Sequence, residues 1–165
     1  MTIKGSVPLR RGSLPQPLAR QRARGGLLLL ALLQAPIAAW AACDDPPVRR
    51  VNWLRCDKQG VDLQGADLRE AVLTQINLSG ANLSRARLSG ADLGQAVLSK
   101  TDFTGAELRS ARLVSAQSDH AVFAGASMAG ARLERAVLTG ANLRAADLTD
   151  AQLQRAELTG ADLTG

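Results

Sequence analysis

Two places in the chain hold residues whose types could do chemistry. Cys43 and Cys56 are the only cysteines, thirteen positions apart. In an oxidising compartment, two cysteines that close a short loop point to a disulfide. The second place is Ser118-Asp119-His120, which contains the single histidine of the chain. A hydroxyl, a carboxylate and an imidazole are the groups of a nucleophilic relay. However, three adjacent residues alternate direction along extended backbone and cannot by themselves form one. The plainer reading is a locally loosened segment with Ser118 bonded to backbone or turned outward. The sharper one is a small recognition site. The remaining acids include Asp62, Asp67, Asp92, Asp102, Asp147 and Asp162, which recur at one fixed position and suit solvation and turn bonding. With one His, two Cys and no Tyr, the positioned acids, bases and nucleophiles that catalysis needs are missing. No enzyme activity, cofactor or metal site is expected.

What positions these residues is a period of five. Counting from Leu63 to Leu163 there are twenty-one centre positions, of which seventeen are Leu; the others are Phe103, Ser118, Phe123 and Met128. Two residues before each centre stands Ala, except at Val61, Ile76 and Thr101. A period of five fits neither the 3.6-residue helix nor the two-residue strand. Residues two apart share a face of extended backbone, so Ala66 and Leu68 point the same way. The other three positions hold Asp, Asn, Ser, Thr, Gly, Arg and Gln, which suit an exposed position followed by a turn. Each five is a short extended side and a corner, and the chain winds with Leu and Ala inward.

The segments Ala66-Asp67-Leu68, Ala81-Asn82-Leu83 and Ala161-Asp162-Leu163 closely resemble the pentapeptide-repeat family, whose pattern is A-(D/N)-L-x-x. The resemblance covers residues 61–165. It implies an all-β fold, a right-handed quadrilateral β-helix with four fives per coil. On that count the chain makes about five coils, stacked at roughly 4.8 Å. Residues twenty apart then stack, which places Phe103 under Phe123 in a column with Leu63, Leu83, Leu143 and Leu163. A narrow core of Leu and Ala explains an aromatic content of only 2%. Among outward positions, Val97 and Val137 fall on one side with Gln117 between them and Val122 on the next. Scattered exposed valines are ordinary; joined into one patch, they would be a partner site.

Ahead of the repeat, residues 1–24 carry Lys4, Arg10, Arg11, Arg20, Arg22 and Arg24 and no acid. An apolar run from Gly25 to Leu33 follows, then Pro36 and Ala39-Trp40-Ala41. A basic stretch, a short apolar core and an A-x-A site read as a signal peptide over residues 1–41. The run is too short and too interrupted for a membrane span. The leader is long, so Met1 could be an upstream start. The formal net charge of +5 belongs to this leader: beyond residue 41 there remain fourteen basic and fifteen acidic residues. No basic stripe is expected, outward aromatics are lacking, and nucleic acid is not an expected partner.

Residues 42–60 read as an N-terminal cap in which Trp53 covers the first coil and a Cys43–Cys56 disulfide pins the loop. A competing reading takes Trp40-Ala41-Ala42-Cys43 as a lipoprotein signal with Cys43 acylated. It departs from that pattern at Trp40 and would leave Cys56 unpaired. At the other end the repeat runs to Gly165 without a cap, and an open coil is an exposed edge. A homodimer through the C-terminal coil is one expectation and a frayed monomer the other.

The resemblance also carries a second function. Some family members are similar in size and shape to a DNA duplex, bear a strongly negative surface and bind type II topoisomerases. Here the outward row Asp67, Arg87, Glu107, Ser127 and Asp147 interleaves signs, which cancels a long-range field. A cytoplasmic DNA mimic is therefore the alternative reading. Ice binding, which needs a flat row of like hydroxyls, fits less well. The expected function is a non-enzymatic structural or protein-interaction module, periplasmic or secreted in a bacterial cell envelope, with an unidentified protein partner.

Overall fold

The structure, a computed structural model, describes residues 43–165. The basic leader, the apolar run and the cleavage motif lie outside the described residues. From residue 51 onward the backbone is one continuous right-handed quadrilateral β-helix. Each outward residue forms a parallel bridge with the residue twenty positions on, from Asn52↔Val72 through to Asn142↔Asp162. The sides are numbered here in chain order by these rows: side 1 begins at Asn52, side 2 at Asp57, side 3 at Asp62 and side 4 at Asp67.

All five amides of a repeat can be accounted for, as buried or pleated backbone requires. Leu63 N–H donates to Asn82 O of the next coil at 2.8 Å, and Gly65 N–H to Ser84 O at 2.9 Å. Asn82 N–H donates back to Val61 O at 2.9 Å, and Ala66 N–H closes the corner onto Leu63 O at 3.0 Å. The fifth amide, Gln64 N–H, is taken by the side chain of Asp62 at 3.2 Å. The same bond joins Ser84 to Asn82, Gly94 to Asp92 and Thr104 to Asp102. Asp and Asn recur before the centre because their short side chains reach the amide two residues on. Each corner has a residue with positive φ, from Arg50 at 63° to Gly165 at 113°. That is the signature of type II turns, which favour glycine.

The core is a thin stack. Leu83, Phe103, Phe123 and Leu143 are buried in one column, with the two rings stacked at 4.9 Å between centroids. Leu63 and Leu163 terminate the same column, the latter 48% exposed. Thr101, which replaces Ala in the inner row, is buried and donates its hydroxyl to Leu78 O at 2.7 Å.

The coil begins ten residues earlier than the sequence pattern. Residues 51–60 have no Ala-x-Leu, yet Trp53 N–H pairs with Val72 O at 2.9 Å, as a regular centre does. Trp53 and Cys56 fill inward positions with other apolar groups and are buried. Backbone stacking tolerates that exchange because any apolar side chain can close the first coil.

Candidate interaction surfaces

At the N-terminal end the disulfide joins Cys43 to Cys56, with Cα atoms 5.5 Å apart. Trp53 lies beneath this loop. Its indole N–H donates to Asp45 O at 3.2 Å, and Lys58 Nζ sits 4.7 Å from its ring centroid. The indole is thereby covered on its polar edge and one face. This part is a structural lid.

Ser118, Asp119 and His120 are not brought together. Ser118 is buried at a centre position, and its Oγ has no hydrogen-bond partner among the described residues. The expectation of a loosened coil, with Ser118 bonded to backbone or turned outward, is therefore corrected. The coil is regular there, since Ser118 N–H pairs with Val137 O at 2.8 Å and its carbonyl accepts from Ala121 at 3.1 Å. The interior columns hold the backbone in place, and the side chain has no choice of direction. His120 occupies the corner between sides 2 and 3 and lies over Gly140. A Cβ on Gly140 would fall 2.5 Å from His120 Nδ1.

The valines are half-buried. Val97 and Val137 share the side 2 row through Gln117, while Val122 stands on side 3 between Asp102 and Asn142. A corner separates the two rows.

Charges on side 4 alternate. Arg69 donates to Asp67 at 2.7 Å and holds its carboxyl down at about 2, with Arg87 adding to the effect from 3.8 Å. At the corner between sides 4 and 1, Arg49 and Arg50 both bond Glu70 and lower its pKa. Side 1 is different. Arg112 and Arg132 are bridged to each other, one held by Asp92 at 3.0 Å and the other by Glu134 at 2.8 Å. The Glu134 pKa is lowered, first by its bond from Arg132. The cations gathered on this side are a feature that the row-by-row expectation of interleaved signs missed. The same stride of twenty, applied to the row of Asp92, Arg112 and Arg132 as well, would have found it.

These coils define a solenoid whose sequence signal is the pentapeptide. Residues 56–95, 81–117, 119–151 and 126–165 match the family of pentapeptide repeats, in eight copies. The chain belongs to that family. No curated protein matches it. Among solved structures it is similar to the pentapeptide repeat protein Rfr23 from the cyanobacterium Cyanothece 51142. The identity is 26% over 67% of this chain and 90% of that one, with a TM-score of 0.42. HetL from Nostoc, a pentapeptide repeat protein involved in heterocyst differentiation regulation, is 29% identical. That match covers 68% of this chain and 78% of HetL, at a TM-score of 0.34. A pentapeptide repeat protein of the Arabidopsis thaliana thylakoid lumen is 30% identical over 64% of this chain and 66% of its own, at 0.32.

Proposed function

We propose that this protein is an exported, non-enzymatic interaction module of the bacterial cell envelope. The observation that carries the reading is the Cys43–Cys56 disulfide, because such bonds persist in oxidising compartments and are rare in the cytosol. The leader of residues 1–41 supports it with a basic stretch, an apolar run and an A-x-A site. Among the described residues, no helix is long and apolar enough to cross a membrane. Recognition of a partner protein by the outer rows is part of the proposal.

The test is the intact mass of the protein from separated cell fractions of a bacterial host, with and without reductant. The expected species is periplasmic, starts near Ala42, and gains two hydrogens on reduction. A full-length cytoplasmic species would overturn export and bring back the topoisomerase-directed alternative. An acyl adduct on Cys43 would replace the disulfide with a lipid anchor.

A further inference from the structure

The corner between sides 1 and 2 is unlike the other three. Its six residues are Arg55, Gln75, Gln95, Ser115, Arg135 and Arg155, one above another, with φ between 55° and 62°. None is glycine, whereas the other corners hold ten glycines. Left-handed backbone is disfavoured for every residue with a Cβ. Side chains thus stand on this ridge at six successive levels against the backbone's preference, and none of them is acidic.

In the lower half these side chains satisfy one another. Arg55 Nε donates to Gln75 Oε1 at 2.7 Å, and Gln75 Nε2 donates to Gln95 Oε1 at 2.7 Å. There the series stops. The Gln95 amide N–H groups, the Ser115 hydroxyl and the guanidiniums of Arg135 and Arg155 have no partner among the described residues. Arg135 and Arg155 are stacked like charges, with backbones about 4.8 Å apart, an arrangement that is unfavourable until an anion lies across it. The acids nearby do not serve. Asp92 and Glu134 are held by Arg112 and Arg132, and Glu157 makes no ion pair among the described residues.

Resting on the interaction-module reading, we propose that this ridge docks an extended acidic segment of a protein partner. Carboxylates of that segment sit on Arg135 and Arg155, and its backbone carbonyls accept from Gln95 and Ser115. The ridge presents a straight line of open donors, and bidentate guanidinium–carboxylate pairing fits its charged end. Nucleic acid fits less well, because Trp53, Phe103 and Phe123 are buried and offer bases nothing to stack on. A membrane surface would call for cations spread over a broad face.

The experiment uses the mature chain and a labelled peptide of alternating Glu and Ser, read by fluorescence anisotropy at low salt. The variants are Arg135→Gly/Arg155→Gly and, as a control on another corner, Arg85→Gly. Glycine removes the side chains while favouring the corner backbone, so misfolding does not cloud the result, and a melting curve checks it. The ridge variant is expected to bind about tenfold or more weakly, with undiminished melting temperature, and Arg85→Gly to bind as the parent does. Equal binding by the ridge variant overturns the proposal, as does no binding by the parent. Tighter binding to a single-stranded oligonucleotide or to anionic phospholipid vesicles also overturns it and names the replacement. Cell fractionation tests export separately, so a cytoplasmic location would sink that reading while leaving the peptide result standing.

Discussion

The corner between sides 1 and 2 and the corner between sides 2 and 3 run the length of the same solenoid with the same backbone. The first is Arg55, Gln75, Gln95, Ser115, Arg135 and Arg155; the second is Gly60, Gly80, Lys100, His120, Gly140 and Gly160. All twelve have positive φ. One corner answers that demand with glycine four times, and the other never does. Backbone geometry alone therefore does not choose the corner residue. Where glycine serves, the turn is the whole requirement. Where a long polar side chain stands instead, it is free to act outside the turn, as in the Arg55–Gln75–Gln95 series of bonds.

The largest test of this contrast falls on the glycine corner. Gly140→Ala must place a Cβ in left-handed backbone and displace the His120 ring, which lies 2.5 Å from that position. We expect a loss of about 2 kcal/mol in urea unfolding. Gly60→Ala has nothing within 4 Å, so it should lose only the conformational part, about 1 kcal/mol. Adding His120→Ala to Gly140→Ala should bring the two into line; an unchanged difference would show that the ring contact is not its cause.

Ser118→Ala should work in the opposite direction. It removes a buried hydroxyl with no partner among the described residues, and a gain of about 1 kcal/mol is expected from lifting that desolvation. A loss instead would mean that the hydroxyl is satisfied in solution. On the glycine-free corner, Arg155→Gly should gain slightly less than 1 kcal/mol, since it relieves left-handed strain and breaks no bond. Gln75→Gly should gain less again, because Gln75 accepts from Arg55 and donates to Gln95. If the two variants melt alike, the ladder of amides contributes nothing.

Much of the fold was legible because the five-residue period repeats residue types as well as apolarity. Leu68, Leu73 and Leu78 mark centres without ambiguity, and the stacking of Phe103 under Phe123 followed from a stride of twenty. The first coil was legible by register alone: the count of five, extended backward, puts Trp53 at a centre and Cys56 inward without the consensus residues, and both are buried. Ser118 was misjudged for a physical reason: a polar residue was given the freedom to turn out, which a centre position held by backbone bonds on both sides does not allow. The ridge was missed because corner residues read as turn formers when taken one repeat at a time. Its character shows only when positions twenty apart are set side by side and the absence of glycine is weighed against positive φ.

The smallest effect separates two corners by acidity. At the corner between sides 4 and 1, Arg49 and Arg50 hold Glu70, whose carboxyl titrates below its ordinary range. A folded-state pKa below the unfolded one gives stability that is present above the ordinary glutamate value and is lost as pH falls through the folded value. The group is exposed, so the contribution is screened and small. The corner between sides 1 and 2 has no acid to titrate, and its Arg55–Gln75–Gln95 bonds are indifferent to acid. Asp67, held at about 2 by Arg69, stays charged through most of the same range and does not blur the comparison. Hydrogen exchange at the amides of Arg50 and Arg55, which donate to Arg69 O and Thr74 O, reads the two corners separately. Acidification toward pH 3 should lower protection at Arg50 more than at Arg55, after correction for intrinsic rates. Glu70→Gln should abolish that difference. Equal loss at both amides would place the acid response elsewhere in the coil and remove the ion pairs as its source.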